Sequence, residues 1–199
     1  MKLLKNEELL KLNNKILNAY KDKDIVLGNG NVDSPIILIG EAPGAKEVEQ
    51  KKPFVGQAGK YLNEFLTTLE IKREKVYITN IVKYRPTKES AKTGKLINRP
   101  PTEKEIEKFV DFLFAEICII DPEVLVTLGN TPLKGIFQND VKIGDVHGEM
   151  LQAEIDRKPY KVFPLYHPAA ILYKRDLKDT YLKDLRILKG ILFKMGVNI

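Results

Sequence analysis

The residues of this chain able to act on a planar, hydrogen-bonding ligand stand just past four short apolar runs. Gly40-Glu41-Ala42-Pro43-Gly44 follows the first, Asn80 closes the second, Gly129-Asn130-Thr131 follows the third and Tyr166-His167-Pro168 the fourth. An asparagine amide sets a carbonyl acceptor beside an NH2 donor. Asn80 therefore complements a base edge with N–H next to a carbonyl, as in uracil; turned over, the same amide complements cytosine, so its orientation has to be fixed. Glu47 would fix it by accepting the spare N–H, or else is a solvated helix carboxylate. Asn80 is equally the residue type that ends strands and caps helices.

His167, biased toward an extended backbone by Pro168, either satisfies the interior or donates to an oxygen on which negative charge develops. One such preorganised donor contributes about 3 to 4 kcal/mol. Phe54, in Lys52-Pro53-Phe54-Val55-Gly56, is a core aromatic or a platform for a stacked base. Gly40 and Gly44 let backbone approach a ligand closely. His147 reads as a turn residue and Cys118, within Ile117-Cys118-Ile119-Ile120, as a buried structural thiol. Two histidines and one cysteine this far apart form no metal motif.

Elements that alternate in type have to position these residues. Ile36 to Ile39, Val76 to Ile81, Val124 to Leu128 and Val162 to Leu165 are short apolar runs that predict buried strands. Helical spacing predicts an N-terminal helix within residues 1–21 and helices over Ala58 to Leu69, Glu103 to Ile120 and Leu177 to Met195. The capping sequence Thr102-Glu103-Lys104-Glu105 opens the third of these. Strand and helix alternate, which predicts an α/β fold, a three-layer α/β/α sandwich around a four-stranded parallel sheet. In such sheets ligands bind beyond the carboxyl ends of the strands, where the polar residues above collect.

Length and composition bound the rest. With 199 residues, 43% of them hydrophobic, the expectation is a single domain spanning residues 1–199. Basic residues outnumber acidic ones by 33 to 27, compatible with a polyanionic partner such as nucleic acid. The N-terminus carries neither a signal-peptide core nor a membrane span, so a soluble, cytoplasmic protein without a membrane partner is expected. Neither a Walker nor a dinucleotide glycine fingerprint occurs, which argues against a nucleotide-using enzyme.

Gly40-Glu41-Ala42-Pro43-Gly44-Ala45-Lys46-Glu47, Pro53-Phe54-Val55-Gly56-Gln57-Ala58-Gly59, Thr79-Asn80, Asn98-Arg99-Pro100-Pro101-Thr102 and His167-Pro168-Ala169-Ala170, in this order and spacing, resemble the family 4 uracil-DNA glycosylases over nearly the whole chain from Val26 onward. The resemblance implies their fold and a monofunctional hydrolase of base excision repair that flips uracil out of DNA, cuts its N-glycosidic bond and leaves an abasic site. It assigns Phe54 to stacking on uracil, Asn80 to reading its edge, His167 to O2, Glu47 to supporting the asparagine and Glu41 to the first catalytic motif. Ala42 stands where some related enzymes place a water-positioning aspartate, so anion stabilisation by His167 is expected to dominate, with Glu41 orienting water or offsetting positive charge.

The same resemblance places an intercalating loop after the histidine motif. There Leu172, or Ile171, is the expected wedge, or simply packs, while Lys174 and Arg175 bring positive charge. Lys83, Arg85, Lys88, Lys92, Lys95 and Arg99 are expected phosphate contacts or a solvated basic surface. The expected partner is uracil-containing DNA, single- or double-stranded, bound by a monomer. In one respect the chain departs from the family. Four cysteines that hold an iron–sulfur cluster correspond to Asn13, Ile16, Tyr84 and Phe109, so no cofactor is expected and apolar packing replaces it. That loss leaves one alternative, a catalytically silent nucleic-acid-binding protein on the same fold.

Overall fold

A computed structural model describes residues 2–170 and 177–197. In chain order the elements are α1 (Lys2–Ala19), β1 (Asn29–Gly30), β2 (Ile36–Gly40), α2 (Ala45–Gln50), α3 (Gln57–Thr68), β3 (Tyr77–Asn80), β4 (Thr87–Glu89), β5 (Leu96–Asn98), α4 (Glu103–Ile120), β6 (Val124–Leu128), α5 (Asn130–Phe137), α6 (Ile143–Val146), β7 (Leu151–Ile155), β8 (Lys158–Leu165) and α7 (Leu177–Lys194). No described helix is long and apolar enough to cross a membrane.

The four apolar runs form the centre of the sheet, in the order β3-β2-β6-β8, and all are parallel. The sheet is wider than the sequence predicts. Two antiparallel edge strands, β1 on β3 and β7 on β8, bring it to six. β2, β3 and β6 are buried along their whole length, as strands covered on both faces must be. β8 changes character along its length: its first half alternates exposed and buried residues, and its last four residues are all buried.

Side-chain alternation divides the core into two layers. Ile37, Ile39, Tyr77, Leu125 and Val162 face α1 and α4 through Leu9, Ile16, Phe109, Leu113 and Ile117. Ile36, Leu38, Ile78, Val126 and Phe163 face α3 and α7 through Leu62, Phe65, Leu66, Leu185 and Leu188. α1 buries less than its spacing suggests: Leu9 and Ile16 are covered, but Leu3, Leu4, Leu10 and Leu17 stay exposed. α4 begins as the sequence predicts, with the Thr102 hydroxyl accepting from the Glu105 N–H at 3.3 Å and the Glu105 carboxylate accepting from the Thr102 N–H at 2.7 Å.

The chain runs from β2 to β3 on one side of the sheet and later returns to β6 on the other side of β2. This reversal of strand order opens a crevice at the carboxyl ends of the strands.

Candidate active site

The crevice is a cavity of about 680 Å³ whose walls include Glu41, Ala42, Glu47, Phe54, Asn80 and His167. The geometry is set from its floor upward. Gly40 ends β2, and a Cβ there would lie 2.4 Å from Asn80 Oδ1 and 2.5 Å from the Phe54 ring. Only a residue without a side chain lets both groups close over this point. Asn80 is buried at the end of β3, and its amide makes no hydrogen bond among the described residues.

Phe54 sits at φ 53°, a left-handed conformation that costs a non-glycine residue about 1 to 3 kcal/mol. Its neighbours hold it there. The Arg73 guanidinium donates to the Pro53 carbonyl at 2.7 Å, and the Glu47 carboxylate accepts the N–H groups of Val55 and Gly56 at 3.0 and 2.7 Å. The other Glu47 oxygen accepts from Gly44 at 3.1 Å. The sequence suggested that Glu47 orients the Asn80 amide. Instead its hydrogen bonds go to three backbone N–H groups, and it positions the Phe54 loop.

His167 follows β8 and its ring lies 6.0 Å from that of Phe54, the planes inclined by 29°. Burial lowers its pKa to about 4, so the imidazole is neutral at physiological pH. The Ala169 N–H donates to Nδ1 at 3.2 Å. With Nδ1 accepting, the one ring proton of the neutral form resides on Nε2, which makes that nitrogen a donor. At the start of α5, which also lines the cavity, the Thr131 hydroxyl donates to the Glu41 carboxylate.

A model of the uracil DNA glycosylase superfamily matches residues 27–186. The chain belongs to this superfamily. Its relatives include the Type-4 uracil-DNA glycosylases of Archaeoglobus fulgidus (39% identical, over 85% of this chain and 83% of the relative), Pyrobaculum aerophilum (36%, over 96% and 94%) and Thermotoga maritima (38%, over 87% and 85%).

Against the superfamily's demands, the remaining expectations divide. Ile171, Leu172, Lys174 and Arg175 lie outside the described residues. Lys88 is exposed on β4, beyond the cavity wall. Arg99 is engaged within the protein: it forms a two-pronged pair with Glu105 at 2.6 and 2.8 Å and donates to the Thr87 carbonyl at 3.1 Å, clamping β4 and β5 onto α4. Lys83 is not part of a basic surface either. It is fully buried and donates to Glu116 and Thr79, both at 2.5 Å, while the Tyr77 hydroxyl donates to the other Glu116 oxygen at 2.8 Å. Arg73 was not singled out by the sequence, and Thr131 and Asn98, which also line the cavity, were given no role of their own. Thr131 stood in a loop past a strand end and Asn98 opened a segment of the resemblance, and these places were their only signals.

The four positions that would hold a cluster offer no thiolate. Ile16 and Phe109 are buried in one core layer with Tyr84 packed against it, and the Phe109 ring lies 4.4 Å from Tyr20 and 5.7 Å from Tyr84. Cys118, the one cysteine, is half-buried on α4. Among the described residues no three His, Cys, Asp or Glu side chains gather as a metal set. A sulfide cluster held by cysteine thiolates does not fit these residues.

Proposed function

We propose that this protein excises uracil from DNA: it receives the base rotated out of the stack, breaks the bond between N1 and the sugar, and leaves an abasic site. The observation that carries this reading is the convergence, in one cavity, of an aromatic face (Phe54), an unengaged amide (Asn80) and a neutral imidazole with its proton on Nε2 (His167). Uracil stacks on Phe54 while the Asn80 amide pairs with N3–H and O4. As the bond stretches, negative charge builds on uracil O2, and the Nε2–H of His167 donates to it. A neutral donor suits this task, because an imidazolium at this site would have to be paid for in desolvation.

The sugar left behind carries positive charge and adds water at C1′. Glu41, held by Thr131, offsets that charge or orients the water. Extruding the base costs a few kcal/mol, least where uracil is mispaired or single-stranded, so both kinds of DNA are substrates in this reading. The protein acts as a cytoplasmic monomer and without an iron–sulfur cluster, its structural place taken by the packing of Ile16, Tyr84 and Phe109. For the missing cluster, support comes from the absence of thiolates at those positions. The test is incubation of purified protein with labelled single-stranded, U·G and U·A DNA beside a T·G control, then alkaline cleavage of abasic sites; release of uracil that survives iron chelation is the expected result.

A further inference from the structure

His167 has little of its own to hold it. Among the described residues its ring accepts one hydrogen bond, from the Ala169 N–H two residues on, and a partner that close in the chain moves with it. On one side it packs against Gly129, where a Cβ would lie 3.3 Å from the Cβ of His167. A donor that must meet a developing charge has to be held to within about 0.5 Å. Further support reaches His167 through Tyr166, the residue before it, from a histidine and a carboxylate that the reaction above does not use.

The sequence presents His147 as a turn residue, and it does follow α6 directly, its N–H donating to the Ile143 carbonyl at 3.0 Å. Its side chain has two further contacts. The ring lies 4.8 Å from that of Tyr166, and Nδ1 is 2.7 Å from a carboxylate oxygen of Asp184 on α7. A carboxylate only accepts, so Nδ1 carries a proton and donates it to Asp184. Asp184 is buried, and Gly148, at φ 75°, lets the backbone close over its other oxygen, 2.4 Å from where a Cβ would stand. A carboxylate enclosed in this way needs a hydrogen-bonding partner. His147 supplies it, and its ring is fixed in return.

The turn that carries His147 is tied to the elements around the cavity. The Gly148 N–H donates to the Pro164 carbonyl near the end of β8 at 3.0 Å, and the Asn130 side chain at the start of α5 accepts the Ile143 N–H at 2.8 Å. Asn130 lines the cavity. The His147 ring therefore bears on Tyr166 from a frame made of β8, α5 and α7.

We infer that His147, held by Asp184, is a positioning residue for His167: its ring fixes Tyr166, and through the shared peptide it sets where the His167 Nε2–H reaches in the cavity. The inference rests on the glycosylase reading for the reaction that His167 serves. The chain has two histidines, so in protein labelled with 15N at histidine every His147 variant leaves the ring signals of His167 alone in the spectrum.

His147→Asn keeps an N–H where Nδ1 stood and removes the ring. At neutral pH it should shift the His167 ring signals, slow single-turnover uracil release by about 10- to 100-fold, and leave the Kd for a duplex with a tetrahydrofuran abasic analogue within about twofold of wild type. Tyr166→Leu, which removes the ring on the other side of the contact, should shift the same signals and slow the same step. Asp184→Ala should act in the same direction, and Asp184→Asn, which retains an acceptor for the Nδ1–H, should recover most of that loss.

Unmoved His167 signals, an unchanged rate, or a loss confined to Kd in folded His147→Asn and Tyr166→Leu would overturn the inference and make His147 a part of the fold alone. A folded wild type that releases no uracil would overturn the glycosylase reading instead. The His167 signals then decide by themselves: moved in both variants they uphold the positioning by His147, and unmoved they end it.

Discussion

Phe54 and His167 face each other with ring centroids 6.0 Å apart and planes within 29° of parallel. A base sandwiched between them needs two van der Waals separations, about 7 Å. His167 is therefore not a second stacking surface. It meets a base stacked on Phe54 at the base's edge, where its Nε2 proton is useful and its ring face is not.

His167→Ala should lower kcat by about 100- to 1000-fold, the usual loss for one preorganised donor. Glu41→Gln should cost less, because an oxocarbenium-like sugar needs little help in capturing water. Single-turnover rates of uracil release from the same oligonucleotide decide the order. A larger loss in Glu41→Gln would transfer the main catalytic burden to the carboxylate.

The pH profile should carry no step from an ordinary histidine. With its pKa lowered to about 4 by burial, His167 stays neutral from pH 8 down to about pH 5. An unshifted imidazole titrates near pH 6.5. A limb near pH 6.5 in log kcat that vanishes in His167→Gln would contradict the neutral-donor assignment.

Stability follows from the same group with a definite sign. The folded pKa lies below the unfolded one, so between about pH 6.5 and 4 the unfolded chain binds a proton that the folded chain refuses. This contribution is present above pH 6.5 and lost as pH falls toward 4, by on the order of 2 to 3 kcal/mol. Urea unfolding at pH 7 and 4.5 should show a smaller drop in His167→Ala than in the wild type.

Glu47→Ala leaves three backbone N–H groups without their acceptor around the strained Phe54. A loss of about 2 to 4 kcal/mol in stability is expected, together with a fall in kcat/KM as the stacking platform loosens. Chemical denaturation and uracil release measured on one preparation check both. Unchanged activity in a destabilised variant would show that the loop does not need Glu47 to place Phe54.

The sequence made the four central strands and α4 with its Thr102 cap legible, because continuous apolar runs and a capping box are local signals. It did not show β7. That strand joins β8 through Asp156 and Arg157, both at positive φ, a two-residue turn without the glycine that usually betrays one. The residues lining the cavity were legible from their places past strand ends. What the carboxylates and cations do was not, since residue type alone does not reveal the partners that Glu47, Arg99 and Lys83 find. Lys83 reads as one more basic residue until Tyr77, Thr79 and Glu116 are seen around it.

Lys83→Met should accordingly cost about 3 to 5 kcal/mol by stranding the buried Glu116 charge. Adding Glu116→Gln should recover part of that loss. In Lys83→Met the salt dependence of DNA binding should match the wild type; a flattened slope would place this lysine at the DNA after all.

The most direct measurement is uracil release from a U·G duplex by the wild type, Asn80→Ala and His167→Ala, each confirmed folded by circular dichroism. The account predicts an abasic site at uracil with the wild type, none at thymine in a T·G control, and a loss of at least about 100-fold in each variant. A folded wild type that binds the duplex and releases no uracil would contradict it and establish a silent nucleic-acid-binding protein.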